Sequence, residues 1–170
     1  MTVESAFLGY SVRKLAQLSE RIEDCLGRLT LEQIWRRAGD SDNAVGNLVL
    51  HLCGNDSQWS AHGVAGRPDA RDRDAEFAAR GGVDAAALQA VLRDAVNEAN
   101  RIVSALSHER LAESIEVQGY QVTVLEAVFH VVEHFSGHTG QIQFAAKLMT
   151  GDDLGYYKHL ATDARREQVP

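Results

Sequence analysis

Four histidines pose the first chemical question. His130, His134 and His138 recur at every fourth residue, and His51 interrupts an apolar run, Leu48-Val-Leu-His51-Leu-Cys53. Neutral imidazole is a common ligand for divalent first-row metals, and helical histidines four apart can share one ion. Each four-residue step advances about 400°, so neighbours share a helix face with about 40° of drift. Ala127, Val131, Ile142 and Ala145 lie on or beside the face carrying His134 and His138, which marks that stripe as at least half buried. Burying imidazoles without partners is costly, and burying them protonated costs more. One metal ion resolves both problems, and His51 is the natural third ligand. The alternative for His51 is a core histidine hydrogen-bonded to a backbone or carboxylate group. His130 belongs either behind the ligands or at a pocket mouth. His62, His108 and His159 lie at a helix end, in a polar turn and in the tail, and are expected to be exposed and non-ligating.

Two neighbouring patterns bear on the same site. His130-Val-Val-Glu133-His134 is an inverted form of the zinc-protease signature, in which the glutamate is a general base. That arrangement needs a further carboxylate ligand, and after His138 only Asp152, Asp153, Asp163 and Glu167 remain, in a tail. Glu133 also precedes His134 by about 100° of rotation, which turns it away from a metal held by His134 and His138. A polar flank is the better reading for it. Asn55, one turn after His51, and Gln141, three residues after His138, can each orient an imidazole or a substrate carbonyl. Either amide can equally satisfy an unrelated group in the core.

Positioning these side chains requires long helices. Phe7, Leu8, Val12, Leu15, Leu18, Ile22 and Leu26 recur at three- and four-residue steps, predicting a first helix over about residues 4–26, with Gly27 as its stop. Ser41-Asp42-Asn43 supplies N-cap residues for a second helix carrying His51 and ending near Gly63 or Gly66. The charged stretch from Gly66 to Asp74 reads as a surface loop, with one helical turn expected at 75–79. Asp84 caps a third helix carrying Leu88, Leu92, Val96, Val103 and Leu106. Thr123-Val-Leu-Glu126 is a capping box for the fourth, which runs over 124–149 to a stop at Gly151. Alternation around Ile115 and Val117 predicts a short extended or hairpin-like piece, and residues 152–164 a short helix or tail. The expectation is an all-α four-helix bundle forming one domain over residues 1–170, with sites built from inward-facing side chains.

Composition narrows the function classes. Seventeen Lys and Arg against 24 Asp and Glu give a formal net charge of −7, with no clustered basic face for nucleic acid. No apolar run reaches the roughly 18–20 residues a membrane span needs. The N-terminus has no basic segment followed by an apolar one, so a cytoplasmic location is expected. Cys25 and Cys53 sit in apolar helical sequence and are expected to be buried free thiols.

With these residues in place, the chain resembles the DinB-like superfamily. The stretch His134-Phe-Ser-Gly-His138-Thr-Gly-Gln141-Ile142 is similar to that group's fourth-helix pattern. Further segments are similar to a bacterial subfamily known only as a domain of unknown function. They are Ser41 to Asn55 through His51, Arg71-Asp-Arg-Asp-Ala-Glu-Phe, Gly119-Tyr-Gln-Val-Thr-Val-Leu-Glu and Asp153-Leu-Gly-Tyr-Tyr-Lys-His-Leu. The resemblance spans nearly the whole chain. It implies an up-down-down-up bundle, a homodimer packed through helices, and His51, His134 and His138 as metal ligands, with His130 outside the triad. Zinc and nickel head the candidate ions, although imidazole also suits iron and copper. Relatives include thiol-dependent transferases and a maleylpyruvate isomerase, so a metal-dependent transferase or hydrolase acting on small electrophiles is one expectation. A non-catalytic helical dimer with a structural or vestigial metal site is the other.

Overall fold

The computed structural model describes residues 2–158. Helix α1 spans Val3–Arg28, with Thr2 as its N-cap. It runs through Gly27 and ends at Leu29, whose backbone is extended, so the expected glycine stop is not used. A short α2, Leu31–Ile34, follows behind a Thr30 capping box. The expected cap cluster at 41–43 is likewise bypassed: α3 covers Val45–Asp56, and the Asn47 side chain reaches back to accept the Ala44 N–H at 3.2 Å. The same rod continues as π-helical turns over Ser57–Val64, a winding that is rare and concentrated at functional sites.

Helix α4 is Arg73–Ala78, capped by Asp72, close to the single turn expected there. Helix α5, Ala85–Ser104, starts behind Asp84, whose carboxylate accepts from the Ala87 N–H at 2.9 Å. A 3₁₀ turn at Glu109–Ala112 leads to a hairpin of β1, Ser114–Val117, and β2, Tyr120–Thr123. The strands pair antiparallel, with Val117 opposite Tyr120. Helix α6, Val124–Thr150, is framed by the capping box that the sequence announces. Thr123 Oγ1 accepts from the Glu126 N–H at 3.2 Å, while Glu126 Oε2 accepts from the Thr123 N–H at 2.7 Å. Gly151 closes it in the left-handed conformation, φ 75°, where a side chain would be strained.

The four long helices form the expected bundle. Helix α1 packs on α5 and α6, and α3 packs on the same two from the opposite corner. The connection from α3 to α5 is the long crossover that two consecutive helices running the same way require, and it carries α4. Leu15, Ile22, Leu26, Leu52, Leu88, Leu92, Phe135 and Ile142 are fully enclosed in one continuous core. Cys25 and Cys53 are buried free thiols; burial raises both above the ordinary thiol range, Cys53 to about 12, so neither is a ready nucleophile. After α6 the chain returns to α1, where the Tyr156 hydroxyl donates to Asp24 Oδ2 at 2.8 Å. Residues 159–164 of the expected terminal helix lie outside the described residues. No helix among the described residues is long and apolar enough to cross a membrane.

Candidate metal centre

Helices α3 and α6 bring three imidazole edges to one point. His134 Nε2 lies 3.2 Å from His51 Nε2 and 3.2 Å from His138 Nε2, and the three donor atoms all fall within 4.8 Å of one another. Ligands about 2.0–2.1 Å from a tetrahedral ion sit about 3.3 Å apart, so both separations from His134 are those of neighbours in one coordination sphere. His51 is buried, while His134 and His138 are half-exposed, which leaves the centre reachable from solvent on the α6 side.

Hydrogen bonds behind the rings set which nitrogens face inward. His138 Nδ1 lies 2.7 Å from Gln141 Oε1; an amide oxygen only accepts, so Nδ1 carries the proton and Nε2 offers its lone pair. His51 Nδ1 lies 3.0 Å from Glu76 Oε2, a carboxylate–imidazole pairing typical behind metal ligands. His134 has no such support: its Nδ1 is buried without a hydrogen-bond partner among the described residues. Burial, reinforced by the neighbouring His138 and His51, depresses the His134 pKa to about 3. Burial also lowers His51, against the opposing pull of Glu76. Burial thus favours the neutral, lone-pair-bearing form of both His134 and His51. Three imidazole nitrogens converging on one point favour a cation between them, and the donor set fits a divalent metal.

The remaining sequence candidates divide. Gln141 does orient an imidazole. His130 stands outside the three-nitrogen cluster: its ring lies against Trp59 at a centroid distance of 3.9 Å and against His134 at 5.5 Å. It lines a cleft of about 480 Å³ with Trp59, Tyr120, Val122, Leu125 and Phe129, which makes it the wall between that cleft and the centre. Glu133 is exposed and lines the same cleft, a polar flank. Asn55 is buried, with Oδ1 unpartnered among the described residues. His108 is exposed as expected, but His62 is half-buried, its Nδ1 2.6 Å from the Arg67 carbonyl. His159 lies outside the described residues.

Sequence reasoning missed three contributors, all in or beside α4. Arg71, Glu76 and Phe77 belong to the stretch read as surface loop and turn. Yet the Arg71 and Glu76 side chains are only 4% and 9% exposed, and the Phe77 ring lies 4.8 Å from that of His51. Their only sequence signal was the resemblance itself, which runs through Arg71 to Phe77.

Fold and site together define a four-helix bundle with a three-histidine cluster suited to a divalent metal. Among solved structures, the chain is similar to a conserved protein from Enterococcus faecalis. That match has a TM-score of 0.70 at 20% identity and covers 89% of this chain and 99% of the other. It is also similar to a DinB-like protein, YjoA, from Bacillus subtilis, with a TM-score of 0.66 at 14% identity, covering 86% and 96% respectively. A family profile described as "Protein of unknown function (DUF1572)" matches residues 2–162, and the chain belongs to that family. No curated protein matches it.

Proposed function

We propose that this protein is a metal-dependent enzyme whose centre is held by His51, His134 and His138, and that it transfers a small thiol to an electrophile. The observation that carries the metal reading is the convergence of three Nε2 atoms, with that of His134 3.2 Å from each of the other two. The catalytic reading is supported by the count of protein ligands: among the described residues the cluster has three members, whereas a structural zinc site closes with four. A divalent ion bound there supplies Lewis acidity, lowering the pKa of a thiol or water toward neutrality.

The chain's own residues do the rest. Glu76 and Gln141 hold the two flanking imidazoles with their inner nitrogens unprotonated, Phe77 covers the His51 ring, and the half-exposed His134 and His138 leave a face open for a reactant. In the reaction proposed, the thiol proton passes to solvent, the sulfur lone pair forms an S–C bond, and the electrophile's leaving group departs with its bonding pair. Zinc or nickel is the proposed ion. A homodimer is proposed as well, supported by Leu125, Phe129, Phe144 and Leu148, all large, apolar and exposed on α6.

Turnover tests the reading. Zinc- or nickel-loaded protein, a chloro-dinitrobenzene electrophile and a panel of low-molecular-weight thiols should release chloride faster than the metal-free protein does. Equal rates in the loaded and metal-free forms would exclude thiol transfer.

A further inference from the structure

We infer that the Arg71–Glu76 ion pair, seated against Gly54, is a positioning device that fixes the proton of His51 on Nδ1 and turns its Nε2 lone pair to the centre. Its effect on metal affinity rests on the metal reading above; its effect on the imidazole does not.

The guanidinium, the carboxylate and the ring are bonded to one another, and Arg71 Nη1 donates outward to Gln58 Oε1 at 2.9 Å. Arg71 Nε donates to Glu76 Oε1 at 2.7 Å and Arg71 Nη2 to Glu76 Oε2 at 2.9 Å, the two-pronged geometry that guanidinium and carboxylate share. His51 Nδ1 sits 3.0 Å from both Glu76 Oε2 and Arg71 Nη2. Nδ1 could accept from Arg71 Nη2 or donate to Glu76 Oε2. We assign the bond as Nδ1–H to Oε2, because Nη2 is already engaged with that same oxygen and a ring N–H beside a carboxylate is the stronger, charge-assisted pairing. Arg71 also cancels the carboxylate charge, which a buried Glu76 could not carry alone without a large desolvation cost.

Gly54 provides the seat. A methyl group at this position would lie 1.9 Å from Glu76 Oε1, 2.8 Å from its Cδ and 3.2 Å from Arg71 Nε. A free glutamate would swing aside, but this one cannot move without breaking its bonds to Arg71 or His51. Gly54 follows His51 by three residues on α3, so a single helix face carries both the ring and the socket for the group that orients it. The other side is anchored by Asn47, whose Nδ2 donates to the Glu76 carbonyl at 2.9 Å and the Ala79 carbonyl at 3.0 Å. Arg37 Nη2 in turn donates to Asn47 Oδ1 at 2.8 Å and to the Phe77 carbonyl at 3.0 Å.

The experiment is nitrogen-15 NMR of the His51 ring in metal-free full-length protein near neutral pH, paired with zinc titration. Wild type should show protonated Nδ1 and bare Nε2. Gly54→Ala, which removes no polar group, should move the proton toward Nε2 and weaken zinc binding by about 10–100-fold. Glu76→Gln, isosteric and uncharged, should do the same and carries the test if Gly54→Ala does not fold. An unchanged tautomer with zinc affinity within about twofold of wild type in these variants overturns the device and leaves the metal reading intact. A wild-type tautomer that responds to Glu76→Gln in a protein that binds no zinc overturns the metal reading and leaves the device standing.

Discussion

At the scale of single residues, the cluster shows what spacing can and cannot announce. A four-residue repeat places His134 and His138 on one face, and an imidazole in the apolar run around His51 demands a partner; both follow from helix geometry and desolvation. The partner of His51 turns out to be a carboxylate as well as two imidazoles, so the two readings the residue allowed are compatible rather than exclusive. Glu76 was not legible because nothing local to it distinguishes a charge that will be buried from one that will be solvated. That difference arises only when Arg71 meets it across the fold. Asp56 is a second buried carboxyl, with Oδ1 accepting from the Ser60 hydroxyl at 2.8 Å and Oδ2 unpartnered among the described residues. Burial raises its pKa from 3.8 to about 7, outweighing the Ser60 bond. The fold thus prefers the neutral acid. Its contribution is complete below about pH 4, and it is lost as pH rises toward 7, because the unfolded chain ionises first. Asp56→Asn removes this titration while keeping the oxygen that Ser60 needs. Its stability relative to wild type should rise between about pH 5 and 7, by up to about 1.4 kcal/mol per pH unit. Urea midpoints measured across that range check it, and parallel curves for the two proteins would contradict it.

At the scale of elements, the long helices were legible wherever an amphipathic period met its own cap. Asp84 and the Thr123–Glu126 box start α5 and α6 as expected, and Gly151 stops α6. The errors fall where tertiary contacts replaced local signals. Gly27 stays helical because Leu26 and Leu29 on either side of it are drawn into the core. Helix α3 begins at Val45 because Asn47 supplies its own reciprocal cap. The π-helical turns over Ser57–Val64 have no compositional mark, since they change hydrogen-bond register rather than residue type. Helix α4 is the most consequential miss: its polar sequence disguises a segment pinned to α3 through Asn47. Replacing Asn47 with Ala removes the side-chain donor to the buried Glu76 carbonyl and one partner each from the Ala79 carbonyl and the Arg37 guanidinium. It should cost about 3 kcal/mol, read as a lower denaturation midpoint. It should also weaken zinc binding, because α4 carries Glu76. A loss below about 0.5 kcal/mol would show that α4 docks without this anchor.

At the scale of the whole molecule, the bundle leaves one helix face incompletely covered. Leu125 and Phe129 lie as far before the Ser136–Gly137 peptide as Phe144 and Leu148 lie after it, so an antiparallel pairing of two α6 helices would match large side chains with large ones. The proposed homodimer predicts a dimer mass by light scattering for wild type and a monomer for Phe144→Asp with unchanged helicity. A wild-type monomer at tens of micromolar would remove the proposal. The measurement that bears most directly on the central claim is elemental analysis after incubation with excess zinc or nickel and removal of unbound ion. Wild type should retain one ion per chain, and His138→Ala should lose it while remaining folded. Metal-free wild type, or a His138→Ala protein that keeps its full complement of metal, would contradict the three-imidazole centre.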